Sequence, residues 1–227
     1  MPRYQYILFD ADQTLFDFDR AEGEALDRVL RRRGYPPEAA AYYLAVNRDL
    51  WARFDRGEVR REVLMTERFA RLAQAFGRTD DPEAFNREYL TCLGEGAYLL
   101  PGAEELCRTL AAHCTLAIVT NGMALAQRGR FQRSPLREIV PWLFISEEVG
   151  AAKPDPAFFQ AVFRAMALED LSQVLMVGDN LLADVKGGLD AGVDAAWYNP
   201  RRAPLPGDVV PTYDIGNFQE LEALILG

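Results

Sequence analysis

The sequence predicts an α/β fold: a parallel sheet with helices on both faces, interrupted after its first strand by a helical insert. Three observations carry this. Short apolar runs recur at 4–9, 116–119, 143–145, 174–177 and 195–198. From residue 97 onward, helically spaced segments separate these runs, which is the alternation of a parallel sheet covered on both sides. Between the first and second runs lies a long stretch, 16–96, with helical spacing and nothing that reads as a strand.

Taken in order, 4–9 (Tyr-Gln-Tyr-Ile-Leu-Phe) is a buried strand that stops at Asp10. Leu26, Val29, Leu30 and Arg33 then fall on one helical face. Further helices are expected near 38–54, 58–76 and 82–93, punctuated by Gly34-Tyr35-Pro36-Pro37, by Asp55-Arg56-Gly57 and by the turn residues after Gly77. After Pro101-Gly102, a helix over 103–112 leads to strand 116–119. Another helix follows Gly122, then strand 143–145, helix 156–167, strand 174–177, helix 181–191, strand 195–198 and a last helix near 218–226. The Pro- and Arg-containing stretch 201–211 reads as a surface loop.

The chain has 227 residues and a net charge of −9. That balance argues against a nucleic-acid polymer or an anionic membrane as partner, since both need a basic footprint. It leaves room for a small anion in a local positive site. No apolar run reaches the length of a membrane span, and the first residues lead straight into a strand, so the expectation is a cytoplasmic chain without a signal peptide. Cys92, Cys107 and Cys114 lack metal-ligand spacing and read as reduced thiols. His113 is the one histidine, so a multi-histidine metal centre is excluded.

In an open parallel sheet, ligands bind beyond the carboxyl ends of the strands. Asp10, Asp12 and Thr14 follow the first strand. Thr120, Asn121 and Gly122 follow the second, Lys153 comes shortly after the third, and Gly178, Asp179, Asn180 and Asp184 follow the fourth. Each group alone is compatible with an ordinary turn or helix cap; their convergence on one rim is what points to chemistry. Clustered carboxylates repel unless a cation sits among them, and an all-oxygen donor set suits Mg²⁺. Lys153 adds positive charge, while Thr120 and the amides of Asn121 and Gly122 offer donors to phosphate oxygens. Only two of the 25 basic residues are lysines, and one of them stands here.

Asp10-Ala11-Asp12-Gln13-Thr14-Leu15-Phe16, Thr120-Asn121-Gly122, Lys153-Pro154 and Gly178-Asp179-Asn180-Leu181-Leu182-Ala183-Asp184 resemble the four ordered motifs of the haloacid dehalogenase-like hydrolase superfamily. The resemblance spans essentially the whole chain. It implies a Rossmann-like core formed by 1–15 and 97–227, with a helical cap at 16–96. It implies Asp10 as nucleophile in an aspartyl-phosphate mechanism and Asp12 as general acid and base. Thr120, Asn121, Gly122 and Lys153 would bind the phosphoryl group. Asp10, the backbone carbonyl of Asp12 and Asp179 would hold Mg²⁺, with Asp184 nearby. The family often has glycine where this chain has Gln13. The first loop, Thr120-Asn121-Gly122, Trp197 and Tyr198 are similar to the pyrimidine 5′-nucleotidase branch, which implies a nucleoside monophosphate as substrate.

The rim motifs handle only the phosphoryl group, so choice of substrate falls to the cap. Phe16, Phe18, Tyr42, Tyr43, Trp51 and Phe54 are candidates to stack on a base or to form the cap's own core. Sugar-phosphate phosphatases, phosphoglycolate phosphatases and phosphosugar mutases keep the same core. A metal-free 2-haloacid dehalogenase is disfavoured by Asp12 and by the pair Asp179 and Asp184. A non-catalytic binding module is disfavoured because no motif residue is lost.

Overall fold

The computed structural model describes residues 2–227. Six strands, β1 (Tyr6–Phe9), β2 (Thr115–Thr120), β3 (Trp142–Ile145), β4 (Val174–Gly178), β5 (Asp194–Tyr198) and β6 (Tyr213–Ile215), form one parallel sheet in the order β3-β2-β1-β4-β5-β6. Side chains alternate across a strand. Ile7 and Phe9 therefore join Leu116, Ile118, Leu175 and Val177 on one face, under helices α5 (Ala103–Ala111) and α10 (Phe218–Leu226). Leu8 joins Ala117, Val119 and Met176 on the other, under α8 (Pro156–Ala165). Because both faces are covered, the strands read as unbroken apolar runs. Burying such a side chain contributes about 1.5–3 kcal/mol. This is the α/β architecture expected from the sequence.

Register sets the rim. Phe9 pairs with Ile118 on one side and Val177 on the other, so β1, β2 and β4 end nearly level. Asp10, Thr120 and Asp179 emerge side by side.

Between β1 and α5 come four helices: α1 (Phe18–Arg32), α2 (Glu38–Asp55), α3 (Arg61–Ala75) and α4 (Pro82–Leu93). They bury their own apolar cluster, including Leu26, Val29, Leu50, Phe69, Leu72 and Phe85. The chain leaves and re-enters the sheet at adjacent points. Leu100 N–H donates to Leu15 O (2.9 Å) and Asp17 N–H to Tyr98 O (3.0 Å). Phe16, at the crossing, packs in the sheet's core.

Several elements differ from expectation. β1 starts at Tyr6; Tyr4 is instead a buried post whose hydroxyl meets Asp194 and Tyr213. α3 starts at Arg61, after the turn at Gly57 with φ +72°. α8 stops at Ala165, before Ala167 takes φ +52°. Four short elements were not foreseen: 3₁₀ turns at Pro135–Glu138 and Leu171–Gln173, the short helix α7 (Ser146–Val149), and β6, which holds the edge of the sheet with three residues. The expected helix 181–191 is divided into a π-helical turn, Leu181–Lys186, and α9 (Gly187–Asp190). No helix among the described residues is long and apolar enough to cross a membrane.

Candidate active site

The sequence-predicted residues converge at one end of a cavity of about 430 Å³, whose opposite walls come from the helical insert. Asp10, Asp12, Thr120, Asn121, Gly122, Lys153, Asp179 and Asp184 all line it. Thr14 does not; it is fully buried below, with its hydroxyl unpartnered.

Lys153 is the hub. Its ammonium donates to Asp10 Oδ1 (2.7 Å), Asp184 Oδ1 (2.6 Å) and the backbone carbonyl of Val119 (2.6 Å). Those three acceptors match its three donors. The Asn121 side chain clamps the lysine backbone twice, donating to Lys153 O (2.7 Å) and accepting from Lys153 N–H (2.9 Å). With its side chain so engaged, Asn121 has only its backbone amide left for a ligand. Gly122 N–H donates to Thr120 Oγ1 (3.1 Å).

Asp10, Asp179 and Asp184 offer carboxylate oxygens that all lie within 4.8 Å of one another. Three carboxylates face one ammonium, so two negative charges are left uncompensated in a buried site. Burial pushes Asp10 up to about 7; Lys153 opposes this, while Asp184 and Asp12 add to it. Asp179 is raised well above the carboxylate range by burial and then by Asp10 and Asp184. Burial alone would lower Lys153, yet Asp10 and Asp184 hold it above its ordinary value. Hard oxygen donors with surplus negative charge fit a divalent cation of the Mg²⁺ type.

Two motif glycines are there for space. A Cβ on Gly178 would lie 2.2 Å from Asp184 Oδ2, and one on Gly122 would lie 2.1 Å from Gln127 Nε2. The second approach explains a contact absent from the sequence reading. Gln127, on α6 (Ala124–Arg133), donates to Asp12 Oδ2 (2.7 Å), and the fully buried Arg130 pairs with Asp12 Oδ1. Nothing in the local sequence marks either residue among the other polar residues of the chain. Both oxygens of Asp12 are therefore oriented by α6. We expect Gln127→Leu to lower kcat roughly tenfold to a hundredfold, the size of a lost hydrogen bond to a charged group, with KM little changed, as steady-state kinetics would show. Unaltered kcat would remove Gln127 from this role.

Gln13 takes φ +60°, the left-handed region that glycine enters without cost. That conformation accounts for a glycine preference at this position. Trp197 Nε1 donates to Asp179 O (2.9 Å) and so fixes the loop that carries Asp179. Tyr198 stacks on Phe218 at 5.0 Å and does not line the cavity. Of the six aromatics considered for base stacking, Phe18 and Trp51 line the cavity.

The insert is tied down over the rim. Arg61 donates to Asn121 O (3.2 Å) and Ser146 Oγ (2.6 Å), and Asn180 Nδ2 donates to Asp55 Oδ2 (2.8 Å).

A family model described as haloacid dehalogenase-like hydrolase matches residues 4–192. The HAD-hydrolase YfnB of Bacillus subtilis is 35% identical over 223 residues, covering 97% of this chain and 95% of that one. The pyrimidine 5′-nucleotidase PynA of Streptococcus pneumoniae is 34% identical, covering 96% and 93%. The pyrimidine 5′-nucleotidase YjjG of Escherichia coli is 33% identical, covering 98% of both chains. The crystal structure of YfnB bound to magnesium matches with a TM-score of 0.92 at 34% identity over 99% of each chain.

Proposed function

The chain belongs to the haloacid dehalogenase-like hydrolase family, and from that premise we propose that it is a Mg²⁺-dependent phosphomonoesterase acting on pyrimidine nucleoside monophosphates. The observation that carries the phosphatase reading is Lys153, seated between Asp10 and Asp184 at the floor of a cavity that the insert walls in. The substrate class is supported by the likeness to PynA and YjjG.

Asp10 Oδ1 is held by Lys153, and Oδ2 accepts no hydrogen bond from the described residues. Oδ2 is thus the oxygen free to attack phosphorus. A bond forms between Oδ2 and phosphorus as the bond to the ester oxygen breaks, and Asp12 gives its proton to that leaving oxygen. A water then passes a proton back to Asp12 while its oxygen attacks phosphorus. The aspartyl-phosphate bond breaks, releasing inorganic phosphate and restoring both aspartates. The Thr120 hydroxyl, accepting from Gly122 N–H, and the backbone amide of Asn121 donate to the phosphoryl oxygens, and Lys153, its hydrogens engaged by Asp10, Asp184 and the Val119 carbonyl, contributes positive charge beside them. Asp10, Asp179 and the carbonyl of Asp12, with Asp184 beside them, would hold Mg²⁺, which would supply the positive charge that lets a phosphate approach this acidic floor.

The test is a panel of UMP, dUMP, dTMP, AMP, phosphoglycolate and sugar phosphates. A base stacked on an aromatic ring gains about 1–3 kcal/mol, so kcat/KM should favour the pyrimidine nucleotides roughly tenfold to a hundredfold. A clear lead for phosphoglycolate or a sugar phosphate would overturn the nucleotidase reading and leave the phosphatase reading standing.

A further inference from the structure

The cavity wall opposite the phosphoryl end carries charge where an apolar helical bundle would be simpler. Glu22 of α1, Asn47 of α2, Arg68 of α3 and Tyr89 of α4 all line the cavity. Each is at least nine-tenths buried. They form one network. Asn47 Nδ2 donates to Glu22 Oε1 (2.9 Å), and the Tyr89 hydroxyl donates to the same oxygen (3.2 Å). Arg68 donates to Asn47 Oδ1 (3.0 Å) and to Asn86 Oδ1 (2.6 Å).

The network has a fixed polarity. A guanidinium can only donate, so the contact from Arg68 requires the oxygen of the Asn47 amide to face it. The Asn47 nitrogen must then face Glu22. One of its two hydrogens is used there and the other is left over. On Glu22, both donors meet Oε1; Oε2 accepts nothing from the described residues. A network serving only to join helices would satisfy its buried atoms, and hydrophobic residues would do the same task without desolvating charge. Among the described residues, this one leaves Arg68 Nε buried without a partner, and leaves Glu22 Oε2 and one Asn47 amide hydrogen without a protein partner on residues that line the cavity. The neighbouring lining at Leu44, Trp51 and Leu93 is apolar, as suits the faces of a flat ring.

We propose that Glu22 and Asn47 select the base of the substrate: Glu22 Oε2 accepts a ring N–H, and the free amide hydrogen of Asn47 donates to the adjacent ring carbonyl. Uracil and thymine carry that pattern at N3–H and its neighbouring carbonyl, whereas cytosine presents an acceptor at N3. Arg68 is a positioning residue that holds the Asn47 amide in the required orientation. A second anionic group, such as the carboxylate of phosphoglycolate, is repelled by Glu22. The proposal rests on the nucleotidase reading and adds to it the groups that choose among bases.

The isosteric variant Glu22→Gln is the sharpest test. Asn47 still donates onto the Oε1 position, so the glutamine oxygen stays there and its NH₂ faces the cavity. Acceptor becomes donor with almost no change of shape. We expect the wild-type enzyme to prefer UMP over both CMP and N3-methyl-UMP in kcat/KM by at least tenfold. In Glu22→Gln, the UMP-to-CMP ratio should fall by at least tenfold, with the change in KM. Tyr89→Phe should lower the melting temperature and leave that ratio near its wild-type value. A UMP-to-CMP ratio unchanged in Glu22→Gln, or no wild-type preference between these bases, would overturn the assignment and return the network to a structural role. If the wild type cleaves p-nitrophenyl phosphate but no nucleoside monophosphate, the nucleotidase reading falls first and this proposal falls with it.

Discussion

Asp10→Asn should remove turnover, lowering kcat roughly 10⁴-fold or more, as loss of a nucleophile does in other enzymes that act through a covalent intermediate. The fold should survive. Lys153 keeps Asp184 and the Val119 carbonyl as partners, and the substitution takes one charge out of a site with surplus negative charge. Hydrolysis of p-nitrophenyl phosphate gives the rate, and circular dichroism with a thermal melt gives the fold. Near-normal turnover in a folded Asp10→Asn protein would refute the nucleophile assignment.

Metal removal should have an effect of comparable size. EDTA is expected to silence the enzyme and added Mg²⁺ to restore it, while Asp179→Ala should sharply raise the Mg²⁺ requirement or abolish activity. Stability should respond as well. In metal-free buffer the folded chain keeps a proton on Asp10, raised by burial to about 7, and on Asp179, raised by burial and by Asp10. The unfolded chain releases both in the ordinary carboxylate range. The folded state then binds more protons than the unfolded one, so stability falls as pH rises from about 4 through about 7. On the proposed function Mg²⁺ would take the place of those protons in the folded form, so it should raise the melting temperature more at pH 8 than at pH 5. Full turnover in EDTA, or a melt at pH 8 indifferent to Mg²⁺, would point to a metal-free mechanism.

The legible part of this site shares one property. Asp10, Thr120 and Asp179 each sit at the end of an apolar run, so a local pattern places them at the carboxyl end of a strand, and the parallel topology brings them together. Lys153 stood out through the scarcity of lysine. The contacts that orient Asp12 were not legible. Gln127 and Arg130 reach it from a helix far along the chain, and their spacing also suits an ordinary solvated helix. The same holds for Glu22, Asn47 and Arg68. Each lies on a different helix, where it resembles any surface polar residue until the bundle closes. β6 was missed because three residues after a loop leave no period to read, and α7 because a single turn has none either. A helix over 181–191 was expected, but the π-helical winding of its first part, 181–186, carries no period of its own in the sequence. There Asp184 folds back so that its Oδ2 accepts from Asn180 N–H (3.1 Å).

The central strand has an awkward position for assembly. β1 pairs Tyr6 with Thr115 and with Val174, both far downstream, so it has no early partner. Contacts near in sequence form first, and distant ones must wait for loop closure. The helices between Phe18 and Leu93 have such near contacts, and the chain ends entering and leaving them are joined by the hydrogen bond from Leu100 to Leu15. A closed bundle is a splint: by holding residue 15 beside residue 100 it shortens the loop that separates β1 from β2. The same insert that walls the cavity thus also fixes the two points at which the chain leaves and re-enters the sheet, and Asp10 meets Lys153 and Asp184 across long stretches of sequence.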